Sequence, residues 1–107
     1  MMRTCRITVL KNTFQKDLVE EYGYENFGPC TAMPAGKTFL TKNEKPDGFC
    51  SDAWIAISQY VFALTHGDGK TMFYDNNWVR MPGVAICSCN DGLRPVIFKI
   101  EALDVAE

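Results

Sequence analysis

The most strongly patterned segment of this chain is SDAWIAISQYVFALTH, residues 51–66. Its apolar residues recur at the spacing of one helix face. The repeating positions are Ala53, Ile57, Tyr60, Val61 and Leu64. Gly67 follows directly, and glycine is the residue type that most often ends a helix. The pattern therefore predicts a central helix over residues 51–66.

Three further large side chains, Trp54, Ile55 and Phe62, widen the apolar surface of this helix. The positions left for water would be Ser51, Asp52, Ser58, Gln59 and Thr65. We therefore expect the rest of the chain to surround the helix. Burial of each large apolar side chain contributes about 1.5–3 kcal/mol, so much of the stability should come from this segment.

Four other segments have strand patterns, namely residues 3–10, 37–41, 84–89 and 95–103. The last two are expected to pair antiparallel, and Pro95 should begin its strand because it has no N–H to donate. Residues 14–22 predict a short helix with Thr13 as its N-cap, followed by an aromatic loop over 23–36. A small hairpin could turn at Asn76-Asn77.

This order of elements predicts an α+β fold. We expect a small antiparallel or mixed sheet of about four strands packed on one long central helix, with one short helix in addition. At 107 residues the chain has the length of one compact domain, and we assign residues 1–107 to it.

Composition excludes several functional classes. With 47% hydrophobic and 22% charged residues the chain is typical of globular proteins rather than disordered ones. A formal net charge of −2 argues against nucleic-acid binding, which usually needs a basic surface. The sequence has neither a signal-peptide pattern nor an 18-residue apolar stretch, so we predict a cytoplasmic protein without a membrane partner.

The chain has five cysteines, which cannot all pair with one another, and an intracellular compartment favours free thiols. Cys50 stands at the start of the central helix, where the helix dipole favours a thiolate. Cys50, Cys30 and Cys89 are therefore candidate catalytic residues of a thiol-dependent enzyme or redox protein. The alternative is that these thiols are small packing residues.

Metal binding is a further alternative for the cysteines. Cys87 and Cys89 are two residues apart, so both sulfurs would lie on one face of a strand. Together with Cys30 and Cys50 they could ligate zinc or another soft metal if the fold brought them together, although paired Cys-x₂₋₄-Cys motifs are missing. We expect Cys30, Cys50 and one of Cys87 or Cys89 to approach one another, but predict no cofactor.

Two polar residues have positions that suggest structural roles. His66, the single histidine, ends the central helix and is expected to interact with its last carbonyls. Asp91 precedes Gly92 in a turn-like context, where an aspartate accepts hydrogen bonds from its own backbone.

A candidate pocket for a small carboxylate or aromatic ligand could be lined by residues of the irregular segments, namely Tyr24, Phe27, Trp78 and Arg94.

The leading functional prediction is a small ligand-binding or protein-interaction module. A thiol-dependent enzyme or redox protein is the alternative, and a metal-stabilised structural protein is the third. We also expect a small homo-oligomer, because so many loop aromatics leave apolar surface to cover.

Several blocks of the sequence resemble a family of small uncharacterised proteins with recurring cysteines. The blocks are GPC at 28–30, PAG at 34–36, PDGFC at 46–50, CND at 89–91 and RPVIFKIE at 94–101. The family commonly has Cys-Pro-Asp where this chain has Cys89-Asn90-Asp91. The resemblance implies one domain and singles out Cys30, Cys50 and Cys89, and it implies no activity.

Overall fold

The computed structural model describes residues 2–67 and 78–103. Within these residues it confirms the predicted α+β class, with a four-stranded antiparallel sheet and two helices. The elements are β1 (Cys5–Asn12), α1 (Lys16–Tyr22), β2 (Thr38–Thr41), α2 (Ser51–His66), β3 (Val84–Ser88) and β4 (Val96–Ala102). The hairpin expected at residues 76–77 lies outside the described residues.

The sheet has the strand order β2-β1-β4-β3, and every neighbouring pair is antiparallel. The predicted pairing of the last two strands is thereby confirmed. β1 lies in the interior of the sheet and continues to Asn12 through an irregularity in its pairing with β4 between Val9 and Lys11. Such a bulge leaves one residue unpaired while the strand continues beyond it. It explains why β1 ends two residues later than the alternation of apolar and polar residues predicted.

Helix α2 covers one face of the sheet. Its buried residues Ile57, Val61 and Leu64 belong to the same apolar cluster as Ile7 of β1 and Phe98 of β4. Two residues from the connections, Met33 and Phe49, complete this cluster. The core therefore lies between the sheet and α2, and we call this side of the sheet the helix face.

The expectation that α2 would be surrounded is wrong in part. Ile55 is 70% exposed and Phe62 is 55% exposed, whereas Thr65 is fully buried. The buried hydroxyl of Thr65 is satisfied because it donates to the carbonyl of Phe62 at 3.1 Å. A sheet contacts a helix along one side only, so the apolar residues on the far side of α2 remain in water.

The short helix α1 begins later than predicted. Thr13 does not cap it, because the Thr13 hydroxyl donates instead to the carbonyl of Pro95 at 2.5 Å. Gln15 takes the N-cap position without a side-chain hydrogen bond. Within the described residues, α1 packs against neither α2 nor any strand. A search of the same residues finds no helix that is both long enough and apolar enough to span a membrane.

Candidate functional site

The connection between α1 and β2 is fixed to the helix face by Asn12. Its side-chain amide donates to the carbonyl of Met33 at 2.8 Å and to the carbonyl of Cys30 at 3.3 Å. Met33 itself is 1% exposed and lies in the core. One amide at the end of β1 thus positions the loop that carries Cys30, Phe27 and Tyr24.

Arg94 and Phe27, two of the predicted ligand-binding residues, lie in contact. The Arg94 guanidinium lies over the Phe27 ring at 4.4 Å from its centroid. Its Nε donates to Asp91 Oδ2 at 3.2 Å, and Asp91 Oδ1 accepts the backbone N–H groups of Leu93 and Arg94 at 2.9 and 3.2 Å. The turn geometry predicted for Asp91 is therefore present, and the charge of Arg94 is largely balanced within its own turn.

The Asp91 carboxylate has a lowered pKa. Burial acts to raise the pKa, but the backbone N–H groups of Leu93 and Arg94 and the guanidinium of Arg94 together outweigh it. The anionic form is therefore stabilised, which strengthens the turn that holds Arg94 in place.

The other two predicted ligand-binding residues have different surroundings. Tyr24 is 88% exposed, so it lines no enclosed cavity. Trp78 lies against Tyr60 of α2, with the ring centroids 6.0 Å apart. The structure thus joins Phe27 to Arg94, and places Trp78 beside the central helix.

All five cysteines are free thiols. Cys5 is fully buried, and the other four are partly buried against the same core. Cys50 is the N-cap residue of α2. Across residues 2–67 and 78–103, which include every cysteine, no three Cys, His, Asp or Glu side chains gather where they could hold a metal ion. The structure therefore does not assemble the predicted set of Cys30, Cys50, Cys87 and Cys89 as a metal centre.

Burial makes two of the thiols poor nucleophiles. It raises the pKa of Cys5 to about 11 and the pKa of Cys87 to about 12. Because the thiolate is the reactive form, both side chains are protonated and unreactive at neutral pH. The sulfur of Cys89 accepts the backbone N–H of Val96 at 3.3 Å.

His66 stands in the last turn of helix α2, as predicted. Arg3 also caps the helix, because its backbone N–H donates to the carbonyl of Thr65 at 3.0 Å and its guanidinium donates to the carbonyl of Gly67. The His66 ring lies against Phe62 at 4.4 Å between centroids. Its Nε2 is 3.4 Å from the amide nitrogen of Asn43.

The sheet face opposite α2 is the main surface that the sequence did not reveal. We call it the open face, since no helix of the described chain packs on it. The pairing register aligns its side chains in rows across the strands. Its residues are Arg6, Thr8, Lys11, Thr38, Leu40, Val84, Ile86, Ser88, Ile97, Lys99 and Glu101, of which Val84 is buried.

The charges on the open face are arranged around Glu101. Its carboxylate lies 2.9 Å from Arg6 Nε and 3.6 Å from Lys99 Nζ, so one anion is paired with two cations. Lys11 adds a third cation beside Ile97. The open face is therefore net positive although the whole chain is net negative.

A cleft of about 540 Å³ adjoins the open face at the β2 edge. Leu40, which is 62% exposed, belongs to both the cleft and the open face. The other lining residues are Met2, Thr4, Thr41, Lys42, Glu44, Lys45, Pro46 and Asp47. The lining of the cleft therefore includes apolar, cationic and anionic groups.

Comparison with known proteins gives no relative: no family model, curated protein or solved structure matches the chain. Function is accordingly inferred from the geometry of the chain itself.

Proposed function

We propose that this domain is a protein-interaction module that binds a polypeptide segment on its open face and in the adjoining cleft. The observation that carries the proposal is the one-sided core. Helix α2 and the buried residues Met33 and Phe49 all belong to the apolar cluster on the helix face. The open face presents aliphatic side chains to solvent or to a partner.

The chemistry of the open face favours a polypeptide over a small solute. Exposed Leu40 lies directly beside Arg6 in the pairing register, and Ile97 lies beside Lys11. Leu40 and Ile86 on the two edge strands flank charged and hydroxyl side chains on the two central strands. A polypeptide has both apolar side chains and a hydrogen-bonding backbone, so it can contact both kinds of group. The cleft extends this surface beyond the β2 edge and offers both cations and carboxylates to a bound chain.

The two alternatives have less support. A thiol-dependent activity could not use Cys5 or Cys87 at neutral pH, because burial holds both thiols protonated. The sulfur contact of Cys89 with the Val96 N–H is the observation in favour of thiol chemistry at that residue. An anionic ligand that bound Arg94 would have to compete with the Asp91 carboxylate for the guanidinium.

The test is selection from a random peptide display library on the immobilised wild-type protein, followed by affinity measurements with three proteins. Leu40→Asp places a carboxylate where the open face meets the cleft. Ile55→Asp is the matched control, because Ile55 is similarly exposed but lies on α2, on the other side of the sheet. We expect the selected peptides to bind wild type and Ile55→Asp equally and Leu40→Asp at least about tenfold more weakly, which corresponds to about 1.4 kcal/mol.

Failure of a monomeric wild-type protein to enrich any peptide family would refute the proposal. Equal binding by Leu40→Asp and wild type would also refute it, because the peptides would then occupy another surface.

A further inference from the structure

Helix α1 packs against no other helix or strand of the described chain, and its N-cap residue Gln15 donates its backbone N–H to the carbonyl of Leu93 at 2.8 Å. It contains seven residues, none of them buried, and no side chain caps its N-terminus. Leu18 is 39% exposed and Tyr22 is 71% exposed, although these residues are four apart and lie on the same side of the helix. Isolated helices shorter than about 12–15 residues are marginal in water. Contact with another surface would therefore stabilise α1.

The segment around α1 is strongly acidic. Residues 16–25 contain four carboxylates, Asp17, Glu20, Glu21 and Glu25, and one cation, Lys16. Glu21 lies on the same side of the helix as Leu18 and Tyr22, by its spacing of three from Leu18. This side of α1 thus combines two apolar residues with a negative charge.

The open face has the complementary composition. Its single carboxylate, Glu101, is already paired with Arg6 and Lys99, which leaves an excess of positive charge. Leu40 and Ile97 supply aliphatic contacts beside cations. Opposite charges are therefore separated onto two surfaces of one chain, and α1 contacts none of the four strands within the described residues.

We infer that the polypeptide bound by the open face is helix α1 of a second copy of this chain. The inference rests on the function proposed above and names its partner. Each copy has one acidic helix and one basic face, so two copies related by a twofold axis make the same contact twice. Closed twofold dimers are the commonest homo-oligomers. Opposite charges steer such association and fix which surfaces meet.

Charge reversal on each surface tests this inference, with mass measured by light scattering after size-exclusion chromatography. One protein carries Glu20→Lys and Glu21→Lys, which makes the α1 segment basic. The second carries Lys11→Glu and Lys99→Glu, which makes the open face acidic. Wild type is expected to have twice the mass of one chain at about 50 mM salt, and each reversed protein alone is expected to be monomeric because like charges then face each other.

An equimolar mixture of the two reversed proteins should regain the dimer mass, because each acidic surface again meets a basic one. A single chain with all four substitutions should also dimerise. It keeps the net charge of wild type, so it controls for effects of overall charge. Thermal melting of each variant confirms folding, and we expect little change because exposed ion pairs contribute only about 0–1 kcal/mol.

The outcomes separate this inference from the proposed function. A monomeric wild type that still enriches peptides sensitive to Leu40→Asp refutes docking of α1 and leaves the interaction module standing. A monomeric wild type that enriches no peptide refutes both. A dimer that persists in both reversed proteins shows association through another surface, which also overturns the inference.

Discussion

The side-chain amide of Asn12 makes a specific contribution to stability that can be tested by one isosteric change. Asn12→Asp keeps the shape of the side chain and removes the amide that donates to Met33 and Cys30. It also places a carboxylate oxygen opposite two carbonyl oxygens. The loop on the helix face then loses its attachment to β1.

The magnitude follows from the two hydrogen bonds. Leaving a buried polar group without its partner costs about 1–3 kcal/mol. The contact with Met33 has ideal length at 2.8 Å, whereas the contact with Cys30 is long at 3.3 Å and should contribute near the lower limit. We expect Asn12→Ala to lower the free energy of unfolding by about 2 kcal/mol and Asn12→Asp by about 3 kcal/mol, because the aspartate adds repulsion.

Urea unfolding at neutral pH, followed by tryptophan fluorescence, measures both losses. The matched control is Gln59→Glu, which makes the same amide-to-carboxylate change where Gln59 Nε2 contacts the carbonyl of Ala56 at 3.3 Å on the exposed surface of α2. That change should stay within about 0.5 kcal/mol of wild type. If Asn12→Asp were as stable as Gln59→Glu, the loop would be held by its apolar contacts alone and the reasoning would be wrong.

Two further predictions concern titrating groups. Cys5 and Cys87 have pKa values of about 11 and about 12 in the folded protein, whereas thiols of the unfolded chain ionise near pH 9. The unfolded chain therefore releases these protons first, and the free energy of unfolding should fall above about pH 9. The slope should be up to about 1.4 kcal/mol per pH unit for each thiol. Urea titrations under reducing conditions should show a shallower fall for Cys87→Val, and an identical slope would contradict burial as the cause. Asp91→Asn should lower the free energy of unfolding at neutral pH by less than about 1 kcal/mol, since the Asp91 and Arg94 side chains are 37% and 36% exposed. The difference should begin to shrink as the pH falls below about 4 and should be lost below the lowered pKa of Asp91, because only the ionised form is stabilised. Equal urea midpoints for wild type and Asp91→Asn at every pH would contradict this role.

The elements that could be predicted are those specified by local sequence. The bounds of α2 follow from its apolar period and Gly67, and its structure agrees at both ends. Helix α1 begins later than predicted because Thr13 donates to Pro95, which is distant in sequence. Likewise, an almost uniformly apolar helix does not indicate which residues face the sheet. The exposure of Ile55 and the burial of Thr65 depend on where the strands lie.

The candidate site depends still more on long-range pairing. Alternation in β1 indicates that Arg6 and Thr8 share a face, but not that Glu101 lies beside Arg6 across 95 residues of sequence. Nor does sequence spacing indicate that the cysteines would be spread over one core without forming a metal centre. A count of the charges on each predicted strand could have suggested that one sheet face is polar. Which of these side chains lie next to one another depends on the strand order, which the local sequence does not specify.

The two faces of the sheet therefore differ in chemistry as well as in packing. The helix face contains the apolar cluster, where burial disfavours charge and raises the pKa of Cys5 and Cys87. The open face carries the cations, the hydroxyl groups and exposed Leu40. A partner that binds by charge and aliphatic contact can reach these groups without disturbing the core. Recognition and stability can thus change independently, since alternate residues of the same strands point to opposite faces.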